Sequence, residues 1–311
     1  MLTPATILAP MGVAGARALA WRNLALDAAF YDLPGLTPAE LEALSHVRHE
    51  EGTVIVVDPP DGSREVMGAG PKASGCAAGL RSFANYEALR AAPGRLVSQV
   101  VVAGVGSSGL GAAALARTVA AVTERPTAAV VAGYGAEDFV SEALGGFFLF
   151  GAANRARHAR QTLRHRVGTM IAESPNAPAV PKPLPHQFAT PDVATLVRLL
   201  SDTDRRVDLL LGHSKGALAI AAALARVMRT ADPVTRAKAA RAQVVSAGAV
   251  IAFPPEVQWV TQLLGALDGL GALNSRLGLP HRRVAMAGHH LNTALPFHLD
   301  LARELRAVLN L

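Results

Sequence analysis

Short runs of branched apolar residues alternate along the chain with longer stretches rich in alanine and leucine, and glycine or proline separates most of them. The short runs read as buried strands: Thr53–Val57, Val97–Ala103, Thr127–Ala132, Val207–Leu211, Gln243–Ser246, Gly248–Phe253 and Arg283–Ala287. The longer stretches read as helices: Phe83–Ala91, Ala112–Val122, Asp138–Leu144, Ala152–His165, Asp192–Leu200, Ala217–Met228, Val257–Leu267 and Leu299–Leu309. Thr37-Pro38-Ala39-Glu40 adds a helix start, with threonine at the cap and proline in the first turn. Lys72–Cys76 reads as a loop. Strands alternating with helices predict an α/β fold with a mostly parallel, doubly wound sheet covered on both faces.

The alternation is most regular from Leu96 onward, so residues 1–95 are expected to form an N-terminal extension packed on a core of residues 96–311, in one compact unit. Glu173–Pro191 holds six of the 20 prolines. Such a long irregular stretch reads either as a cover over a site or as an exposed connector, and a lid-like insertion is expected over about 137–191. Hydrophobic residues make up 50% of the 311 and charged residues 17%, which supplies a core and argues against disorder. The formal charge of +6 comes from scattered arginines with no aromatic interleaving. A basic surface is therefore expected, with no nucleic-acid partner, while contact with an anionic or apolar surface stays open. The lone Cys76 allows no intrachain disulfide and no cysteine metal cluster, as suits a cytoplasmic protein. Met1–Ala20 is apolar without a basic leading region, and is expected to pack on the body rather than act as a signal peptide. No uncharged apolar run is long enough for a membrane span.

The chemistry centres on Gly212-His213-Ser214-Lys215-Gly216, which lies between a strand pattern and an alanine-rich helix pattern. G-x-S-x-G at such a corner is a nucleophile elbow: a serine at strained backbone angles crowds positions two before and two after it, and only small residues fit there. The alternative is a plain strand-to-helix turn with serine as cap. A nucleophilic serine needs a base, and the base needs a carboxylate. His289 and His290 directly follow the last strand, on the sheet edge expected to carry the elbow. His289, after Gly288, is favoured, with His290 as fallback. His281 is expected at the surface, and His298 in or near the final helix. Among the acids between, Asp232 reads as a helix-terminating turn, Glu256 as the fallback, and Asp268 as a lone charge in an apolar stretch that needs a partner. A turn role before Gly269 is the alternative for Asp268. The Lys215 amide is one expected oxyanion donor. The second comes from Gly106-Ser107 or from Tyr134-Gly135, and the residues do not choose between them.

On these residues the chain from about Leu96 resembles an α/β-hydrolase. GHSKGALAIAAAL is similar to the elbow of class 3 (triacylglycerol) lipases and related esterases, and Asp268 followed by Gly288-His289 keeps the same succession. The resemblance implies a Ser214–Asp268–His289 triad that cleaves small-molecule or lipid-like carboxylic esters through an acyl-enzyme, with no cofactor or metal. Tyr134 or Gly135 would occupy the oxyanion-loop position. Gly-Tyr-Gly stands where those lipases often have Arg-Gly-Ser/Thr, and residues 1–95 have no counterpart. Two rivals remain. Gly104-x-Gly106-x-x-Gly109 also fits a dinucleotide fingerprint, as in an NAD(P)-dependent short-chain-type oxidoreductase. Against it, Leu211 stands where the tyrosine of those enzymes would fall, and no acid closes the next strand. The other rival is a hydrolase-like scaffold used only for binding.

Overall fold

A computed structural model describes residues 23–45, 49–60, 79–92, 97–104, 106–132 and 190–311. The lid-like stretch up to residue 189, the helices expected over Asp138–Leu144 and Ala152–His165, the Lys72–Cys76 loop and Met1–Ala20 fall outside these residues.

In chain order, helical residues 23–30 lead to α1 (Pro38–Ser45), β1 (Val54–Val57), β2 (Leu80–Phe83) and α2 (Tyr86–Ala91). Then follow β3 (Gln99–Val102), α3 (Gly109–Thr123), β4 (Thr127–Val130) and α4 (Pro191–Ser201). The elbow region is β5 (Leu209–His213) and α5 (Lys215–Thr230), followed by α6 (Pro233–Ala240), β6 (Gln243–Ala247), β7 (Val260–Gly265), α7 (Gly269–Leu273), β8 (Arg282–Val284) and α8 (Leu301–Leu309). The strands form one eight-stranded sheet in the order β2-β1-β4-β3-β5-β6-β7-β8. β1 is antiparallel to both of its neighbours, and every other pairing is parallel.

The nearly unbroken apolar runs follow from this arrangement, because a parallel sheet with helices on both faces buries both faces of each strand. Val101, Ala129, Leu211 and Val245 pack on one side with α3 and α8. Val100, Ala128, Leu210 and Val244 pack on the other with α4 and α5. That is the period-two alternation of a strand. Residues 1–95, expected as an extension, supply β1 and β2 to the sheet itself. They are also tied to it by an ion pair: Glu40, fully buried, meets the guanidinium of Arg117 in α3. Glu40 also closes a capping box, with Thr37 N–H donating to Glu40 Oε2 (2.9 Å) and Glu40 N–H to Thr37 Oγ1 (3.3 Å).

Four expectations need correction. Val257–Leu267 is not a helix but contains β7. Val257, Val260, Leu263, Leu264 and Leu267 mimic a helical stripe, yet pairing with β6 and β8 on both sides outweighs it. Gly248–Ala252 is buried and Phe253 half-buried, but the stretch makes no ladder. Side chains take its backbone groups instead: Val250 N–H donates to Ser275 Oγ (2.8 Å) and Ile251 N–H to Gln262 Oε1 (2.6 Å). Phe83 ends β2 rather than opening a helix; α2 begins three residues later because Asn85 caps it, accepting from Ala88 N–H at 2.9 Å. β8 also stops at Val284, before the left-handed Met286 (φ 55°). Among the described residues no helix is long and apolar enough to cross a membrane.

Candidate active site

The elbow forms where β5 meets α5. Between them Ser214 has φ 52° and ψ −118°, a conformation that costs a non-glycine residue about 1–3 kcal/mol and persists only where the surroundings impose it. Here they do. Ser214 N–H donates to Ala247 O of β6 (2.8 Å), and Ala217 N–H donates to Ser214 O (3.1 Å). The flanking glycines are required by contact: a Cβ on Gly212 would lie 2.4 Å from the Ala217 backbone, and one on Gly216 would lie 2.1 Å from Val102 O. The serine is thus the corner of a turn that only G-x-S-x-G can make.

The residues expected as acid and base meet. His289 Nδ1 lies 2.9 Å from Asp268 Oδ1 and 2.8 Å from Oδ2. Nδ1 therefore carries the hydrogen and donates it, leaving the Nε2 lone pair available to take a proton. Asp268 is buried, and its Oδ1 also accepts from Gly271 N–H (2.6 Å), so it caps α7 while it holds the ring. The turn role and the partner role expected for Asp268 are both real. Ser214, Gly248, Asp268 and His289 follow β5, β6, β7 and β8 in turn, so all stand at the carboxyl edge of neighbouring parallel strands.

The His289 ring is enclosed by two others. Phe30 meets it edge-on, with centroids 5.8 Å apart and planes at 90°. The His213 ring lies 5.1 Å away. Gly248, at φ +69°, passes so close that a Cβ there would lie 3.1 Å from His289 Cε1 and Nδ1 and 3.2 Å from His213 Nε2. His213, next to Ser214, is fully buried, and burial together with nearby His289 pushes its pKa down to about 3.

The remaining candidates fall as follows. His290 turns its Nε2–H to Pro296 O (3.0 Å) within its own loop and has no carboxylate partner among the described residues. Glu256 is exposed on the turn after Pro254-Pro255, and Asp268 rather than Glu256 holds the His289 ring. Lys215 is the first residue of α5, so its amide follows directly on Ser214. Gly106 (φ 81°) and buried Ser107 lie in the loop after β3, the strand beside β5. Tyr134 and Gly135 lie outside the described residues. His281 is half-buried, with Nδ1–H donating to Leu279 O (2.8 Å). His298 donates from Nδ1 to Leu295 O (3.0 Å) in the turn before α8. Asp232 caps α6 rather than ending α5, accepting from Val234 N–H (2.9 Å) and Thr235 N–H (3.1 Å).

The sequence offered no sign that the N-terminal part reaches this site. Leu291 N–H donates to Phe30 O (2.7 Å) and Asn292 Nδ2 to Ala28 O (2.6 Å), which fasten the loop after His289 to residues 28–30. Asp27 is fully buried against the loop after β3, accepting from Ser108 N–H at 3.1 Å and Ser108 Oγ at 2.5 Å. Burial outweighs those bonds and raises its pKa to about 6. The head of α3, where a dinucleotide pyrophosphate would have to sit, is therefore filled by the chain's own carboxylate. Leu267, Met286 and Phe297 are exposed large apolar side chains around the His289 loop. Leu267 N–H bonds Ala287 O (2.8 Å), and Gly288 N–H bonds Phe297 O (2.6 Å). Among the described residues no group of three or more His, Cys, Asp or Glu is arranged to hold a metal ion. No family model matches the chain, and no curated protein or solved structure matches it either.

Proposed function

We propose that this chain is a serine hydrolase of carboxylic esters, with Ser214 as nucleophile, His289 as general base and Asp268 as its orienting acid. One observation carries the reading: a serine at strained elbow angles and a histidine whose Nδ1–H is held by a buried carboxylate follow strands of one sheet at the same carboxyl edge. His289 Nε2 takes the Ser214 hydroxyl proton as Oγ attacks the ester carbonyl, and the imidazolium so formed faces Asp268. The amide of Lys215, at the head of α5, and an amide of the loop after β3 would receive the oxyanion. The same His289 proton then passes to the leaving alkoxide, and water repeats the sequence on the acyl-enzyme. Chain order Ser, Asp, His is that of α/β-hydrolases. Leu267, Met286 and Phe297 beside the base favour an apolar acyl group. The test is a panel of p-nitrophenyl esters of rising acyl length, run with wild type beside Ser214→Ala. Turnover of one or more esters that vanishes in the variant supports the reading; no turnover of any, or equal turnover by both proteins, rejects it.

A further inference from the structure

His213, the residue before Ser214 in the elbow, is tied at both ring nitrogens. Gly104 N–H donates to the Tyr31 hydroxyl oxygen (2.6 Å), and that oxygen lies 2.9 Å from His213 Nδ1. His213 Nε2 lies 2.9 Å from the main-chain carbonyl oxygen of His289. The hydrogens along this line are forced. Gly104 N–H can only donate, so Tyr31 Oη accepts there and has one hydrogen to give, to Nδ1. The carbonyl of His289 can only accept, so Nε2 carries the imidazole hydrogen. One neutral tautomer satisfies every group, and the buried ring has no other way to do so.

The line crosses four parts of the fold: the N-terminal segment at Tyr31, the end of β3 at Gly104, the end of β5 at His213 and the loop after β8 at His289. Two of its members flank reacting groups, since His213 precedes the nucleophile and the accepting carbonyl belongs to the base itself. We propose that His213 is a positioning residue: its Nε2–H, fixed by the Tyr31 hydroxyl behind it, holds the main chain of His289 at the distance from the elbow that proton transfer needs. The inference rests on the serine-hydrolase reading and adds to it that the base is located by the nucleophile's own neighbour, with Asp268 setting only the ring's tautomer and tilt. A neutral His213 also keeps a second positive charge away from His289 when that ring becomes imidazolium, its centroid only 5.1 Å distant.

The test compares His213→Gln, whose Nε2–H₂ can reach the same carbonyl, with His213→Leu, which fills the space without a donor, and with Tyr31→Phe, which removes one oxygen. Two readouts are used. In two-bond 1H–15N spectra of the imidazole rings, wild-type His213 is expected as the Nε2–H tautomer and unchanged from about pH 5 to about pH 8, the range over which a free histidine changes charge. With p-nitrophenyl butyrate, His213→Leu is expected to lower kcat by about 10- to 100-fold, the scale for a base misplaced by up to 1 Å, with KM within about twofold. His213→Gln is expected to keep kcat within about fivefold and Tyr31→Phe to fall between. An Nδ1–H tautomer, a His213 that titrates in that range, or Gln and Leu variants equally impaired each overturn the proposal. Should His213→Leu fail to fold, wild-type spectra and the other two variants decide it. Should wild type cleave no ester, the hydrolase reading fails by itself, and the tie is then judged on whether the His213 ring keeps one Nε2–H tautomer in wild type and loses it in Tyr31→Phe, a ring unchanged by that substitution overturning it.

Discussion

Replacing Gly248 by alanine places one methyl group where the His289 and His213 rings leave no room. Gly248 has φ +69°, and left-handed backbone costs an L-residue roughly 1–2 kcal/mol. The new Cβ would lie 3.1 Å from two atoms of the His289 ring and 3.2 Å from His213 Nε2, where ordinary contact begins at 3.4 Å. Neither ring can retreat cheaply, because His289 is pinned to Asp268 and His213 to Tyr31 and the His289 carbonyl. The clash is therefore relieved by moving the base a few tenths of an ångström relative to Ser214. Since 1 Å of misplacement is worth about 100-fold in rate, that movement should lower kcat by about tenfold, while stability falls by about 2 kcal/mol. The measurement is initial rates with p-nitrophenyl butyrate beside urea unfolding. Gly269→Ala is the control, because a Cβ there meets nothing within 4 Å, and it should change kcat by less than about twofold while leaving stability within about 1 kcal/mol. A Gly248→Ala protein with wild-type kcat, or one no worse than Gly269→Ala, would refute this reading of the packing around His289.

Further outcomes follow from other contacts. Asp268→Asn removes the charge that fixes Nδ1–H on His289 and should lower kcat by about 10³- to 10⁴-fold in the same assay, with little change in KM. Arg117→Met leaves fully buried Glu40 without its guanidinium, so urea titration should show a loss of about 3–5 kcal/mol, partly restored by adding Glu40→Gln. Asp27 gives a pH signature. Its folded pKa of about 6 lies above the ordinary 3.8, so the stability it contributes is complete below about pH 4 and is lost as pH rises through about 6. Relative to wild type, Asp27→Asn should therefore gain about 3 kcal/mol in unfolding free energy between pH 4 and pH 7, and a difference that stays flat with pH rejects that reading.

The elbow was legible because its requirement is local: two glycines, a serine and a strand-to-helix change of pattern lie within a few residues. Asp268 and His289 were legible for a different reason, namely that a lone charge in an apolar stretch needs a partner and that loops after parallel strands share one edge. β7 was misread because Val257, Val260, Leu264 and Leu267 fit a helix as well as they fit a doubly covered strand, and only the neighbours β6 and β8 decide. Tyr31, Phe30 and Asp27 gave no signal at all. Their roles depend on contacts with residues 73 to 182 positions or more away, as with Tyr31 to Gly104 and to His213, or Asp27 to Ser108 81 positions on, and neither spacing nor composition carries such information. His213 was visible inside the motif, but its burial and its two partners are properties of the assembled sheet.

If the ring at 289 makes Ser214 the nucleophile, that hydroxyl is the one a fluorophosphonate captures covalently. Folded protein is treated with a fluorophosphonate, and the adduct is located by mass spectrometry of its peptides. One adduct is expected, on Ser214, formed much more slowly in Asp268→Ala and absent in Ser214→Ala. Folded protein that takes up no label, or a label on another serine that persists in Ser214→Ala, would contradict it.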